Sequence, residues 1–231
     1  MLCNAQSLFY KLDELRVLVE ATKPVFICVS ETWFTPDIDS EIVQIRGYDC
    51  FRCDRQDDLV DQRRGGGCAV YASLSVRAST VSFSSHFIKP PGFDCIFIKF
   101  HYAELKMCHL VCTYVPPNLN CDSFSAIERY FCDCLGFFLN EYPETALFFC
   151  GDCNRYNFDF LINQFNLVNV VHVPTFGEAT LDKFFCDEDF QASLTVEKGP
   201  PLGNAVHAHN TVMIHRNLTT DNNKVHLHKV L

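Results

Sequence analysis

The chain has 231 residues, of which 48% are hydrophobic and 20% are charged, as in globular proteins that bury a sizeable core. Phenylalanine is abundant, with 22 copies against one tryptophan, which predicts thick packing between layers. The formal net charge of −9 excludes a polybasic coat as the main device for binding nucleic acid. An acidic enzyme that gathers metal ions and a plain soluble module both fit these figures.

Helical and strand patterns along the chain predict one domain over residues 1–216, followed by a polar tail over residues 217–231. A first helix is predicted after Ser7, its expected N-cap, and a second helix over residues 123–141. A short helix is expected at residues 158–165. The apolar or alternating segments typical of strands are 25–30, 47–53, 67–74, 76–83, 94–100, 107–114, 146–152, 167–171, 180–185, 192–196 and 211–215. This mixture of elements predicts two sheets faced by helices.

The 14 cysteines mostly lie inside apolar runs, where a reduced cysteine acts as a small hydrophobic residue. Cys50 and Cys53, like Cys150 and Cys153, have the CxxC spacing of a zinc site, but each pair falls where strand residues are expected. Packing is therefore the favoured interpretation. Residues 1–10 lack the features of a signal peptide, and no segment is apolar enough to span a membrane. We expect an intracellular protein, nuclear or cytoplasmic.

Several apolar strands end in an acidic, amide or phenolic side chain. These residues are Asn4, Glu31, Tyr114, Asp152 and Asn154. Side chains at one edge of neighbouring strands converge, and carboxylate and amide oxygens are ligands for a hard cation such as Mg²⁺. A turn residue or a helix cap explains any single one of them equally well, but five such endings in one chain favour a site.

The ordered motifs of the chain resemble the endonuclease/exonuclease/phosphatase superfamily, most closely the endonuclease domain of non-LTR retrotransposons, which is similar to apurinic/apyrimidinic endonucleases. The segments that carry this resemblance are NAQSLFYKLDEL, PVFICVSETW, GYDCFRCDR, RRGGGCAVY, TYVPP, FFCGDCN, PTFGEATLDKFF and GNAVH. The resemblance implies an α+β fold, a four-layered αββα sandwich of two mixed sheets covered by helices. The first strand is expected to be truncated, because only three residues precede Asn4.

The resemblance also implies the roles of individual residues. It makes Glu31 the principal Mg²⁺ ligand with Asn4 beside it, with Mn²⁺ as an alternative ion. Asp152 would orient or deprotonate the attacking water, and Asn154 and Tyr114 would hold the phosphate. The residues implied in the later motifs are Thr175 as a phosphate contact, Asp182 as a supporting acid and His207 as the histidine that binds the phosphate.

The chain departs from the family where the terminal Ser-Asp-His motif reads Ala205-Val206-His207, so that Val206 replaces the aspartate expected to orient the histidine. His209 lies two residues further on, and we interpret it as a surface histidine. A metal site shared by His207 and His209 is the alternative, because residues i and i+2 of a strand face the same side. Arg63 and Arg64 precede three glycines that predict a turn, and they could also contact a DNA backbone.

Taken together, these motifs predict a Mg²⁺-dependent endonuclease of retrotransposon (LINE) origin that nicks DNA to leave a 3′-hydroxyl. Val206 raises the possibility of an inactivated copy. The alternatives are a catalytically silent nucleic-acid-binding or interaction module and a phosphatase of the same superfamily. We expect DNA as the partner, no membrane, a monomer, and a reverse transcriptase domain in the parent element that this chain lacks.

Overall fold

The computed structural model describes residues 1–55, 65–101, 107–203, 208–217 and 228–230. Their strands form two sheets, each of which combines one parallel pair with antiparallel pairs. Both sheets are therefore mixed, as the sequence predicts.

The first sheet has the strand order β11-β12-β1-β2-β4-β3, with β13 also paired to β12. Its strands are β1 (Leu2–Asn4), β2 (Phe26–Ser30), β3 (Tyr48–Cys53), β4 (Cys68–Ser73), β11 (Leu194–Pro201), β12 (Asn210–Asn217) and β13 (His228–Val230). Only β1 and β2 run parallel. The first strand spans three residues, is buried and pairs with a neighbour on each side.

The second sheet has the order β5-β6-β7-β8-β10-β9. Its strands are β5 (Arg77–Thr80), β6 (Asp94–His101), β7 (Met107–Tyr114), β8 (Ala146–Asp152), β9 (Leu167–Asn169) and β10 (Asp182–Asp187). Only β7 and β8 are parallel. The antiparallel pairing of β8 with β10 places Asp152 opposite Asp182.

Helices cover the outer faces of both sheets. They are α1 (Leu12–Thr22), α2 (Cys121–Glu141) and α3 (Asp159–Phe165), whereas Phe190 of the four-residue α4 (Glu188–Gln191) packs against the core between the two sheets. Leu12, Leu15 and Val19 of α1 pack on the first sheet, and the apolar stripe of α2 packs on the second sheet together with α3. This arrangement confirms the predicted four-layered sandwich. None of the described helices is long and apolar enough to cross a membrane.

The inter-sheet layer, the apolar core between the two sheets, explains why strands such as β2 are apolar at every position. Phe26 and Cys28 of β2 point into that layer, whereas Ile27 and Val29 pack in the layer beneath α1. A strand with a covered sheet face on each side needs apolar residues throughout.

The two CxxC pairs do not form zinc sites in this fold. Cys50 packs in the layer beneath α1 and Cys53 in the inter-sheet layer. Cys150 belongs to the inter-sheet layer, whereas Cys153 packs in the layer beneath α2. The two thiols of each pair therefore lie on opposite sides of a sheet, so they cannot bind one ion together.

Two predicted boundaries differ from the structure. Helix α1 begins at Leu12 after a 3₁₀ turn at Phe9–Lys11, so the prediction that Ser7 caps it is wrong. Ser7 instead has a positive φ of 78° in the preceding loop. Beyond the predicted domain end at residue 216, β12 continues to Asn217 and β13 pairs with it, so the sheet extends into the segment expected to be a tail.

Candidate functional site

The ends of strands from both sheets meet at one rim of the sandwich, which we call the polar rim and define by Asn4, Glu31, Asp152, Asp182 and His209. Asn4 ends β1 and is paired with Ser30, the residue before Glu31. In the other sheet Asp152 ends β8, between Tyr114 at the end of β7 and Asp182 at the start of β10. The convergence expected of these strand ends is therefore present.

Asn4 joins the two sheets at this rim. Its Nδ2 donates to Oε1 of Glu31 at 2.8 Å and to Oδ2 of Asp152 at 2.7 Å. The backbone N–H of Gln6 donates to Oδ1 of Asn4 at 3.1 Å and fixes the orientation of the amide. Because Asn4 is buried, its single side chain holds two carboxylates from different sheets at a defined separation.

The backbone before Asp152 permits only glycine. Gly151 has a φ of 138°, and a Cβ built on it would lie 1.9 Å from the carbonyl oxygen of Thr113. The close approach of β7 and β8 at this point aligns Tyr114 with Asp152. The glycine of the GDCN motif is thus explained by packing next to the site.

A tight turn follows Asp152 and fixes its carboxylate. The backbone N–H of Asn154 donates to Oδ1 of Asp152 at 2.9 Å, and Asn154 has a positive φ of 49°. Nδ2 of Asn154 donates to the carbonyl oxygen of Val115 at 2.8 Å. Both carboxylate oxygens of Asp152 therefore accept a hydrogen bond, Oδ1 from the backbone of Asn154 and Oδ2 from the side chain of Asn4.

Asp182 and His209 form a buried pair beside Asp152. Nδ1 of His209 lies 2.7 Å from Oδ2 of Asp182, and both residues are nearly inaccessible to solvent. Thr175 holds the backbone at Asp182, because its Oγ1 accepts hydrogen bonds from the backbone N–H groups of Leu181 and Asp182. A carboxylate that holds one ring nitrogen fixes the tautomer and orientation of a histidine.

The crowding of these groups changes their protonation. Burial and the nearby charge of Asp182 raise the pKa of Asp152 to about 8. Burial alone would lower the pKa of His209, but its hydrogen bond to Asp182 and the charges of Asp182, Asp152 and Glu31 raise the pKa above its ordinary value. The rim therefore favours a positive charge close to its carboxylates.

Tyr114 is held by a second ion pair at the edge of the rim. Nη2 of Arg55 lies 2.6 Å from Oδ2 of Asp94, which also accepts from the N–H of Gly67 at 2.8 Å. The Arg55 guanidinium lies over the Tyr114 ring, 5.4 Å from its centroid. Burial and the charges of Glu31 and Asp152 raise the pKa of Tyr114, so its phenol stays protonated at neutral pH.

The donor set of the rim fits a hard divalent cation. Ligand atoms of Asp152, Asp182 and His209 lie within 4.8 Å of one another. Oδ1 of Asp182 is buried and accepts no hydrogen bond from any described residue. Glu31 adds a further carboxylate, whose Oε2 accepts from Nε1 of Trp33 at 3.1 Å. Oxygen-rich clusters of this kind suit Mg²⁺ or Mn²⁺.

The structure changes the interpretation of one residue expected at the surface and of one predicted site residue. His209 was expected to be a surface histidine, but it is only 4% exposed and is paired with Asp182, so that prediction is wrong. Thr175 was expected to contact phosphate, but it is 0% exposed and its hydroxyl is used within the protein. The predicted residues Arg63, Arg64, Val206 and His207 lie outside the described residues.

Sequence reasoning also missed Asp94, which neutralises Arg55 and thereby supports Tyr114. The signal was weak, because an acid at the start of a predicted strand is an ordinary turn residue. The antiparallel pairing that places Asp94 opposite Tyr114 could not be inferred from either strand alone.

Comparison with known proteins identifies the fold family. The sequence profile of the endonuclease/exonuclease/phosphatase family matches residues 1–205. The chain belongs to this family. The matched segment contains four of the five residues of the polar rim but ends before His209, so the histidine of the rim is located by the structure alone.

Solved structures of the family share this fold. An AP endonuclease from Leishmania major, LMAP, is 16% identical with a TM-score of 0.68, covering 94% of this chain and 87% of that one. The endonuclease domain of TRAS1, a telomere-specific non-LTR retrotransposon, is 15% identical with a TM-score of 0.63, covering 93% and 96%. A 3′ phosphatase from Neisseria, bound to product DNA hairpin, is 14% identical with a TM-score of 0.62, covering 94% and 98%. A search of curated protein sequences gave no significant match.

Proposed function

We propose that this protein is a divalent-metal-dependent endonuclease that hydrolyses phosphodiester bonds in DNA and leaves a 3′-hydroxyl. The observation that carries the proposal is the Asn4 bridge between Glu31 and Asp152, with the Asp182–His209 pair beside it. Phosphodiester hydrolysis needs a positioned water, neutralisation of charge on the phosphate and protonation of the leaving oxygen. The rim offers side chains for each task.

The metal ion, which we propose to be Mg²⁺ or Mn²⁺, would supply charge neutralisation on the phosphate oxygens. Glu31 is the proposed principal ligand because its carboxylate reaches the rim from the other sheet. Asn4 presents its donor Nδ2 to both carboxylates, so it serves as a bridge in this arrangement and would offer Oδ1 to a cation only after its amide turns over.

Asp152 is the proposed group that orients and deprotonates the attacking water. Without a metal ion, burial and the charge of Asp182 raise its pKa to about 8, so the carboxylate is more basic than one in water. The hydrogen bonds from Asn4 and Asn154 fix both of its oxygens and hence the position of a water bound to them.

Protonated His209 is the proposed partner of the negatively charged phosphate, because its raised pKa keeps the imidazolium populated. Asp182 would orient the ring through Nδ1 and leave Nε2 for the substrate. The Tyr114 phenol and the Asn154 amide would donate hydrogen bonds to the phosphate. In this proposal Asp182 performs the orienting role that the sequence analysis assigned to an aspartate missing at Val206.

DNA is the proposed substrate because solved structures with a similar fold include an AP endonuclease, a retrotransposon endonuclease domain and a 3′ phosphatase bound to a DNA hairpin. We further propose a retrotransposon origin, supported by the order of the SETW, GDCN and TLD motifs and by the similarity to the TRAS1 domain. A reverse transcriptase frame next to the coding sequence would test that origin.

The experiment that tests the function is nicking of supercoiled plasmid with and without Mg²⁺. Glu31→Ala and Asp152→Ala should each abolish nicking, whereas Asp37→Ala, an exposed acid in the loop after Glu31, should leave it unchanged. DNA binding by the wild-type protein without Mg²⁺-dependent nicking would support a silent binding module instead. Release of inorganic phosphate from inositol phosphates, with no nicking, would support a phosphatase.

A further inference from the structure

A second cluster of ligand-type side chains lies in the inter-sheet layer, away from the polar rim. The sulfur atoms of Cys28, Cys112 and Cys150 all lie within 4.8 Å of one another, and all three residues are buried. We call these three residues the thiol cluster. Among the described residues, it and the group formed by Asp152, Asp182 and His209 are the two sets that bring together three potential metal ligands.

The thiol cluster connects three strands and both sheets. Cys112 of β7 and Cys150 of β8 are register partners in the second sheet. Cys28 of β2 faces them from the first sheet. The three thiols therefore meet across the layer between the two sheets, within 4.8 Å of one another.

A cysteine that only fills space need not lie close to two other thiols, as the three residues of the thiol cluster do. Cys186 lies in the same apolar layer and is equally buried, yet it belongs to no such group. The side chains around the cluster are large and apolar, among them Phe26, Leu110 and Phe148. A concentration of thiols in one part of a layer otherwise built from aliphatic and aromatic side chains indicates a chemical role beyond filling space.

We propose that Cys28, Cys112 and Cys150 bind one zinc ion as thiolates, which would cross-link the two sheets. Three sulfur atoms at about 2.3 Å from a common ion lie about 3.8–4.0 Å apart. The sulfurs therefore need to close by less than about 1 Å. A cavity of about 30 Å³ beside Cys28 and Cys150 leaves room for that adjustment.

The chemistry of the cluster selects the ion. Thiolates prefer soft or borderline ions such as Zn²⁺ over Mg²⁺, whereas the carboxylates of the polar rim have the opposite preference. Binding releases three protons, one from each thiol, and leaves a single net negative charge with a divalent ion. Monovalent copper would leave two such charges in an apolar layer, which burial disfavours more strongly.

The cluster is closed to solvent, so the ion would enter while the chain folds. The probe is Cd²⁺, because thiolate ligands give it an ultraviolet sulfur-to-cadmium charge-transfer band that carboxylate and imidazole ligands do not give. The full chain is unfolded under reducing conditions and refolded with one equivalent of Cd²⁺. Exposed Cys121 is replaced in all samples by Cys121→Ser to remove a competing thiol.

The expected result is one bound Cd²⁺ per chain, with a band of the intensity of three thiolate ligands. Cys28→Ala should remove the band, whereas the matched control Cys186→Ala, from the same layer, should keep it in full. Near-ultraviolet circular dichroism checks that each variant folds, and Cys28→Ser replaces Cys28→Ala if the latter does not. The proposal is overturned if protein with all three cluster thiols gives no band, if the band survives loss of Cys28, or if Cys186→Ala removes it equally.

The same measurement in an Asp152→Asn background separates this inference from the proposed function. The band should be unchanged there, because the polar rim supplies no sulfur ligand. In protein with an intact polar rim, a band without Mg²⁺-dependent nicking would support the zinc site and count against the nuclease, and nicking without a band would do the reverse.

Discussion

The polar rim and the thiol cluster are neighbours built from the same strands with opposite chemistry. On β8, Cys150 and Asp152 are two residues apart, and on β7, Cys112 and Tyr114 are two residues apart. Residues i and i+2 of a strand face the same side, so each strand points first a thiol and then a polar group toward the opposite sheet. On each strand, a soft and weakly polar thiol is thus followed two residues later by a hard oxygen donor.

The difference between the two regions shows where this fold can bury a charged side chain. In the middle of the inter-sheet layer no water is available, and thiols are among the few ligand-type side chains that can be buried there without a large cost. At the strand ends the layer opens, and loops supply hydrogen bonds to the carboxylates, as Asn154 does for Asp152 and Thr175 does for the backbone of Asp182. The acids thus lie where partners are available, and the thiols where they are not.

The largest effect is expected when the rim loses a carboxylate. Asp152→Asn keeps the size of the side chain but cannot accept a proton from water, and its amide nitrogen cannot accept one of the two hydrogen bonds that the carboxylate receives. We expect Mg²⁺-dependent nicking to fall by about a thousandfold or more, which corresponds to about 4 kcal/mol of transition-state stabilisation. Initial nicking rates under saturating Mg²⁺ measure this, with Asp37→Asn as the control. A loss of less than tenfold would mean that Asp152 is not the base.

A smaller loss is expected from the residue that orients the histidine. Asp182→Asn removes the charge that raises the pKa of His209, so the histidine should lose its proton at lower pH. We expect nicking at neutral pH to fall by about a hundredfold, with the alkaline limb of the pH–rate profile displaced to lower pH. Asp187→Asn, an acid bonded to the N–H of Leu147 away from the rim, is the control. An unchanged profile would contradict the orienting role.

The rim should also make stability depend on pH. The pKa of Asp152 is raised by burial from 3.8 to about 8, so the folded protein holds a proton that the unfolded chain has lost. The contribution of Asp152 to stability without metal should therefore be greatest below about pH 4 and should fall as pH rises through about 8. In Asp152→Asn this fall should be shallower, because only other groups such as His209 then contribute. Thermal melts at several pH values measure the difference, and equal slopes would contradict the raised pKa.

Mg²⁺ should oppose this loss of stability, because a cation favours the ionised carboxylates. The rise in melting temperature on adding Mg²⁺ should be larger at pH 8 than at pH 5 in the wild-type protein. It should be much reduced in Asp152→Asn. An equal rise in both proteins would place the ion elsewhere.

Much of the fold could be predicted from the sequence, because its signals are local. Continuous apolar runs such as residues 25–30 indicate strands covered on both faces, and the 3.6-residue spacing over residues 123–141 indicates a helix. The residues at the strand ends were also visible, since Asn4, Glu31 and Asp152 each follow such a run. Ser7 misled the prediction because a hydroxyl before a helical pattern cannot be told apart from one in a turn.

The site was harder to predict where it depends on distant pairing. His207 and His209 are two residues apart, and the GNAVH motif favoured His207 as the site histidine and His209 as a surface residue. Only the contact with Asp182, 27 residues earlier in the chain, shows that His209 belongs to the rim. The contact among Cys28, Cys112 and Cys150 likewise depends on how two sheets face each other, and strand patterns alone carry no such information.

The apolar environment of the thiol cluster can be tested by replacing one of its thiols with a hydroxyl. Cys112→Ser replaces a weakly polar thiol by a hydroxyl in an apolar layer, where a buried group without a good partner costs about 1–3 kcal/mol. We expect a lower free energy of unfolding in urea but an unchanged nicking rate per folded molecule. Cys132→Ser, on α2 and partly exposed, should change neither quantity. A stability loss equal in both variants would show that the thiol cluster has no special environment.

The smallest effect is expected where the rim is supported indirectly. Arg55 contacts no carboxylate of the rim but lies over the Tyr114 ring and is paired with Asp94. Arg55→Met keeps an unbranched apolar stem on the Tyr114 ring but removes the charge and the cation that pairs with buried Asp94, so the variant should also be less stable, and nicking is compared per folded molecule. We expect a decrease in nicking of about tenfold or less, since a single cation–π contact is worth about 0.5–2 kcal/mol. Arg16→Met, at an exposed ion pair on α1, is the matched control. If Arg55→Met abolished nicking while Tyr114→Phe did not, the guanidinium would have to contact the substrate directly, and the polar rim would extend to Arg55.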